Sequence, residues 1–249
     1  MKHHHKEFSM VYALRNLLFP PRCVGCGELL EPFSGSDTIF CPHCRTRWET
    51  AVTEAAEQSA RDGARGLVYL TFYRSGQTDG IPERLIYHLK HNGDPRAFDF
   101  VAARLAPRVS EALAALPRRD ISGGESGPVL FTYPPRRRSA VSRDGFDQAA
   151  RLSKALAAAC GGEHTILIRR TRRPSDEQKQ LDAEGRIDNA ARSYELSKHA
   201  AETVRGRTVA VCDDLCTTGA TLNRCAELLV KAGAGLVILV TVERTRKDT

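Results

Sequence analysis

The sequence predicts an α/β chain: a parallel sheet flanked by helices, with a small cysteine-rich module ahead of it. Three observations predict this class. From Pro128 onward, short apolar runs alternate with amphipathic helical stretches, the pattern of parallel strands covered on both faces. Before that point, Cys23-Val-Gly-Cys26 and Cys41-Pro-His-Cys44 set two C-x-x-C pairs a short linker apart. With 249 residues, 41% of them hydrophobic, the chain can bury a full core and suits one α/β domain plus a small appendage better than two large domains.

Taken in order, residues 1–9 read as an added tag, because Met1-Lys2-His3-His4-His5 precedes Met10, a second candidate start. Residues 10–50 form the module. Each C-x-x-C pair is expected on a tight turn with both sulfurs aimed at one ion. Two such turns from short hairpins complete a tetrahedron, so Cys23, Cys26, Cys41 and Cys44 are candidate ligands of Zn²⁺. Four thiolates would close the site to water, which makes the zinc structural. Disulfides are the alternative, and a reducing cytoplasm disfavours them. His43, inside the second pair, reads as an exposed knuckle residue and not a ligand. Cys160, Cys212, Cys216 and Cys225 lack metal spacing and read as small buried side chains.

Residues 51–127 link this module to a main domain at 128–249. The polar, alanine-rich stretch 48–65 predicts a helix, and 67–73 a strand ending at the turn Ser75-Gly76. Ile81-Pro82 opens a short helix with Leu85, Ile86 and Leu89 on one side, broken at Asn92-Gly93. Asp94 and Pro95 are N-cap and N1 of the next helix, which carries Phe98, Val101, Ala102, Leu105 and Val109 at helical spacing. Pro107 is expected to kink or interrupt it. In the main domain the expected strands are 129–132, 165–168, 208–212 and 236–242. The expected helices are 147–160 and 221–232, the latter with Leu222, Ala226, Leu229 and Val230 on one stripe. Residues 121–127 read as a Ser/Gly connection, and 169–192 as a long polar loop of the kind that is either functional or disordered.

No window approaches the ~18 uninterrupted apolar residues of a membrane span, and the N-terminus lacks a secretory signal, so the expected location is the cytoplasm. The 37 Lys and Arg against 30 Asp and Glu suit an anionic ligand or nucleic acid without choosing between them. Arginines crowd at Arg136, Arg137, Arg138 and Arg143, and again at Arg169, Arg170, Arg172 and Arg173. Solvated loops and anion sites both remain open there.

The chemistry concentrates after the strand Thr208-Val-Ala-Val-Cys212, which leads into Asp213-Asp214. In a parallel α/β sheet, ligands bind beyond the carboxyl ends of the strands. The turn Thr217-Thr-Gly-Ala-Thr221 offers backbone N–H groups, hydroxyls and a helix start, a combination that favours a monoester phosphate. The adjacent carboxylates suit two vicinal hydroxyls, as a ribose presents, or a magnesium shell. Over residues 209–221 the sequence resembles the type I phosphoribosyltransferases, whose signature is an apolar strand, two acids and a Thr-Thr-Gly-x-Thr loop. That resemblance implies binding of 5-phosphoribosyl 1-pyrophosphate (PRPP) with Mg²⁺. Asp213 and Asp214 would hold the ribose 2′ and 3′ hydroxyls as the catalytic pair, and Thr217, Thr218, Gly219, Ala220 and Thr221 would cradle the 5′ phosphate. Cys212 stands where an aliphatic residue is more usual.

Several segments together resemble the competence-protein ComF family: Leu18-Phe-Pro-Pro-Arg-Cys-Val-Gly-Cys26, Leu89-Lys-His-Asn-Gly-Asp94, Arg143-Asp-Gly-Phe-Asp-Gln148, Gln178-Lys-Gln-Leu181 with Arg186 and Asn189, and the phosphate loop. The resemblance implies a phosphoribosyltransferase-like domain with an N-terminal zinc module, associated with natural DNA uptake. By order of elements it assigns the pyrophosphate to the loop Tyr133-Pro-Pro-Arg-Arg-Arg138, with Arg138 and Arg143 as candidate PRPP ligands. The chain departs from the family at Asp144, usually basic, and at Asp147, usually Asn; acids there are expected to weaken an anion site. Gln178, Arg186 and Asn189 lie in a loop that would form a hood. For Lys90 and His91, an approach to the site and a plain surface helix end are both open.

If catalytic, the implied reaction displaces pyrophosphate from the ribose anomeric carbon by a nitrogen nucleophile, and no base-recognition signature names the acceptor. The competing reading is a non-catalytic accessory protein in DNA uptake or recombination, acting on single-stranded DNA or a helicase-like partner. Aromatic residues make up only 6% and do not interleave with the basic runs, which argues against a base-stacking platform. A metabolite sensor coupling PRPP to such a partner is the third.

Overall fold

The computed structural model describes residues 20–31, 38–76, 79–117, 127–171 and 193–246. The chain enters through the cysteine module and runs into helix α1 (Pro42–Gly63), then through two short strands, β1 (Leu67–Val68) and β2 (Thr71–Tyr73). Helices α2 (Ile81–His91) and α3 (Pro95–Ala115) follow, then β3 (Leu130–Thr132), α4 (Arg138–Asp144), α5 (Gln148–Cys160) and β4 (Glu163–His164). A small antiparallel pair, β5 (Ile168–Arg170) and β6 (Tyr194–Leu196), precedes α6 (Ala200–Val204), β7 (Thr208–Cys216), α7 (Ala220–Lys231) and β8 (Leu236–Thr245).

The apolar runs at 208–212 and 236–240 make β7 and β8 the centre of a parallel sheet ordered β1-β8-β7-β3-β4, with β2 continuing along β8 beyond β1. From β3 the chain moves outward to β4, whereas from β7 it moves the opposite way to β8. The order therefore reverses between β3 and β7, and a crevice opens beyond their carboxyl ends.

Alternation along the strands feeds two cores. Phe131, Ala210, Cys212, Ile238 and Val240 pack with Leu105 of α3 and with Leu152 and Leu156 of α5. Leu130, Val209 and Val211 pack with Leu222, Cys225 and Leu229 of α7. A sheet buried on both faces needs apolar residues at consecutive positions, which is why these strands read as runs. The cysteine module shares the first core: Phe40 meets Phe100 of α3 edge-on at 5.4 Å and Trp48 at 5.7 Å. Truncating one such buried aromatic costs about 3–5 kcal/mol.

Local chemistry sets the helix ends. Asp94 caps α3 by accepting the Arg96 N–H at 3.0 Å, and Asp147 caps α5 by accepting those of Ala149 and Ala150. Three expectations change. Helix α1 starts at Pro42, inside the second C-x-x-C pair, because proline at N1 is preset for a helix and Cys41 takes the N-cap. Helix α3 runs through Pro107 without interruption; Ala103, whose carbonyl loses its donor, and Pro107 are both exposed, so water can replace that bond. The strand expected at 165–168 is displaced: β4 pairs with β3 over the two residues just before it, 163–164, and Leu167 and Ile168 turn away into the second core, where Ile168 opens β5. The connection at 121–127 lies almost wholly outside the described residues, as does most of the long loop, 172–192, with Gln178, Arg186 and Asn189.

Candidate functional site

Strand β7 does not stop at Cys212. Its ladder with β8 continues through Asp213 opposite Thr241 and Leu215 opposite Glu243, so the acid pair forms part of the strand. Asp213 Oδ1 accepts the Asp214 N–H at 2.9 Å. Burial, then the charge of Asp214, push the Asp213 carboxyl well above the usual range. Asp214 is nearly buried and meets Lys90 Nζ at 3.2 Å. One register position further on, Glu243 is fully buried, and neither of its oxygens has a hydrogen-bond partner among the described residues. Burial, followed by the charges of Glu83 and Asp214, raises its carboxyl strongly. Burial of a carboxyl so placed favours its neutral form.

Beyond β7 the chain turns over Thr217 and Thr218, both exposed, into α7. Gly219 takes the N-cap with φ +78°, a left-handed conformation that favours glycine, and a Cβ there would come within 3.3 Å of Asn223 Nδ2. Gly219 has no side chain to cap α7, and Thr218 Oγ1 accepts the Ala220 N–H at 3.3 Å. The start of a twelve-residue helix thus faces the crevice with N–H groups and hydroxyls side by side.

The other wall follows β3, which pairs with β7 up to Thr132 opposite Val211. Arg136, half-buried, donates its backbone N–H to Asp147 Oδ2 at 2.9 Å and meets Asp144 Oδ2 through Nη2 at 2.8 Å. Arg143 meets the same carboxylate through Nε at 3.0 Å and Nη2 at 3.3 Å, and His91 Nδ1 lies 3.7 Å from it. Arg143 first, and then Arg136, lower the Asp144 carboxyl to about 2.

The residues singled out in the sequence fall unevenly. Asp213, Asp214 and Thr217 to Thr221 gather at the carboxyl end of β7. Arg143 and Arg138 sit on the facing loop, both exposed; Arg143 is paired with Asp144, and Arg138, in the first turn of α4, has no partner among the described residues. Arg136, which the sequence placed in the pyrophosphate loop without naming it as a ligand, is the arginine built into the wall; it is the first after Pro134-Pro135 and so stays closest to the strand end. Asp147 does not act as a free acid: its oxygens cap α5 and hold Arg136 in place. Lys90 reaches the acid pair. A signal for it existed, since Lys90 lies four residues after buried Ile86 and so shares its helix face.

The cysteines form a second centre. The four Sγ atoms of Cys23, Cys26, Cys41 and Cys44 lie within 4.8 Å of one another and can hold a metal ion such as zinc. Tetrahedral zinc thiolate geometry with Zn–S of about 2.3 Å implies sulfurs about 3.8 Å apart, and Cys26 and Cys41 Sγ are 3.7 Å apart. Burial and the neighbouring thiols raise the Cys44 thiol, a penalty that a bound cation reverses. The first pair lies on a turn closed by the Arg22–Leu29 bridge, as expected, but the second opens α1 and is not a hairpin. His43 is exposed. Gly25 passes so close to the cluster that a Cβ would fall 2.7 Å from Cys44 Sγ and 2.8 Å from Ile81.

Residues 140–249 match the family model of the phosphoribosyl transferase domain, a stretch that includes the acid pair and the turn. No curated protein matches the chain. Among solved structures, the chain is similar to an allosteric regulatory enzyme of purine biosynthesis at 17% identity and TM-score 0.34, covering 58% of this chain and 25% of that one. It is similar to glutamine phosphoribosylpyrophosphate amidotransferase from B. subtilis at 14% identity and TM-score 0.34, over 73% and 30%. Adenine phosphoribosyltransferase from Thermoanaerobacter pseudethanolicus gives 18% identity and TM-score 0.36, over 61% and 83%. The chain therefore spans less than a third of the length of the first two. The domain match and the strand order give a type I phosphoribosyltransferase-like α/β fold, a parallel sheet flanked by helices, preceded by the four-cysteine cluster. No helix among the described residues is long and apolar enough to cross a membrane.

Proposed function

We propose that the crevice between β3 and β7 binds PRPP with Mg²⁺ and transfers its phosphoribosyl group to a nitrogen nucleophile. The observation that carries this reading is the acid pair running directly into a glycine-capped helix start at the point where the strand order reverses, inside the matched domain. Thr217 to Thr221 would take the 5′ phosphate, and Asp213 and Asp214 the ribose hydroxyls. Burial and the neighbouring Asp214 charge, which raise the Asp213 carboxyl, favour a form that donates one hydrogen bond as well as accepting others. Arg136 and Arg143 would meet the pyrophosphate, for which planar guanidinium forks are suited. In transfer, the bond from the anomeric carbon to pyrophosphate breaks as the bond to nitrogen forms, and the two carboxyls would favour the electron-poor ribosyl carbon. Hard carboxylate oxygens suit Mg²⁺, which when bound offsets charge on the leaving group.

The finer assignment, a ComF-type protein with a structural zinc, draws support from the way its segments meet. The turn at Gly93 packs on Phe146 and accepts a hydrogen bond from Arg151, so the Leu89–Asp94 and Arg143–Gln148 segments act as one unit beside the acid pair.

A thermal shift of the full chain tests the reading. PRPP at a hundred times its dissociation constant, with Mg²⁺, should stabilise the protein by about 2.7 kcal/mol. No shift with folded protein removes the transferase and sensor readings. What then remains is an accessory role in DNA uptake or recombination through DNA or a helicase-like partner.

A further inference from the structure

We propose that Asp144 determines which anions the arginine loop admits: it fills the guanidinium forks of Arg136 and Arg143, so that only a multiply charged anion of the pyrophosphate class displaces it. The inference rests on reading this crevice as the PRPP site.

The geometry is that of a carboxylate standing where phosphate oxygens would sit. Asp144 spends both oxygens on the loop, Oδ2 on Arg136 Nη2 at 2.8 Å and Arg143 Nη2 at 3.3 Å, Oδ1 on Arg143 Nε at 3.0 Å. Its side chain is only 6% exposed, whereas that of Arg143 is 68% exposed and closes over it from the solvent side. Arg136 is anchored by its backbone bond to Asp147, and its buried Nη1 has no hydrogen-bond partner among the described residues. One of its donors therefore stays unspent while Asp144 holds the other end of the fork.

The pair also lies in the right place. Lys90 and His91 are consecutive on α2, and the first reaches Asp214 while the second approaches Asp144 at 3.7 Å. The arginine loop and the acid pair thus face each other across one helix end. Displacing Asp144 forfeits one carboxylate's interactions. A monoanion returns no more than that, whereas an anion with several charges on neighbouring oxygens returns more than it removes. That cost is the same for every anion, so it lowers all affinities alike and leaves at measurable strength only those anions that return more than Asp144 held.

Isothermal titration of the full chain with inorganic pyrophosphate and with orthophosphate, each with Mg²⁺, tests this on wild type, Asp144→Asn, Arg136→Gln and the double variant. Asp144→Asn should bind pyrophosphate about tenfold more tightly and should gain by a similar factor for orthophosphate, bringing the weaker anion into measurable range. In the Arg136→Gln background the gain should shrink. Asp144→Ser should repeat the gain if Asp144→Asn proves unstable. Equal or weaker pyrophosphate binding by folded Asp144→Asn and Asp144→Ser, when wild type binds PRPP, would make Asp144 a scaffold for the arginines and overturn the proposal alone. Failure of both wild type and Asp144→Asn to bind PRPP would overturn the site reading, and this inference with it.

Discussion

Replacing Lys90 with Met removes the cation that faces the buried acids at the end of the sheet. Lys90 Nζ lies 3.2 Å from Asp214, with side-chain exposures of 31% and 7%. At an effective dielectric of about 20 the gross attraction is about 5 kcal/mol. Desolvation and the partly exposed lysine offset much of it, so the net loss on removing one partner is about 2 kcal/mol. For a chain of this size that is a fall in Tm of roughly 4–8 °C. The pH dependence has a definite sign. Asp213 and Glu243 have carboxyls raised by folding, so the native state binds more protons than the unfolded one above the unfolded carboxylate range, and stability falls as pH rises. Removing Lys90 worsens this cost, because the coulombic relief it gives both carboxyls is lost. Thermal melts of wild type, Lys90→Met and Lys90→Arg at pH 5 and pH 8 check this. Lys90→Met should lose more at pH 8 than at pH 5, and Lys90→Arg should recover most of the loss. Equal losses at both pH values, or none at pH 8, would refute the assignment of Lys90 to this cluster.

Two further outcomes follow from the buried groups. Glu243→Gln removes an ionisable group whose carboxyl burial raises, so it should raise stability at pH 8 and leave it nearly unchanged at pH 4; equilibrium urea unfolding reads the difference. Gly25→Ala drives a Cβ into Cys44 Sγ and Ile81, so zinc content measured on the purified protein should fall well below one ion per chain. Chelation of wild type should give the same loss and shift the fluorescence of Trp48, the sole tryptophan, because it packs on Phe40 beside the cluster.

Where periodicity and burial agree, the fold was readable in advance. The stripe Leu85, Ile86 and Leu89, the Asp94-Pro95 start and the runs at 208–212 and 236–240 all emerge as expected, because each satisfies one dominant local rule. The short run Ile166-Leu-Ile168 defeated that logic: three apolar residues fit any buried segment, and only the partner strand at 194–196 decides their pairing. The start of α1 was hidden because proline at N1 and the cysteine spacing share the same residues. In the site, the acid pair and the glycine turn were readable because they are contiguous. Arg136, Asp144, Lys90 and Glu243 come from four separate elements, and what they do depends on charges that no local pattern brings together.

The most direct test of the central claim is isothermal titration of zinc-loaded full-length protein with PRPP and Mg²⁺, beside an Asp213→Asn/Asp214→Asn variant whose fold is verified by circular dichroism. Saturable binding by wild type, weakened at least a hundredfold in the variant, about 2.7 kcal/mol, is the predicted result. Equal binding by the two, or none by folded wild type, would contradict the account.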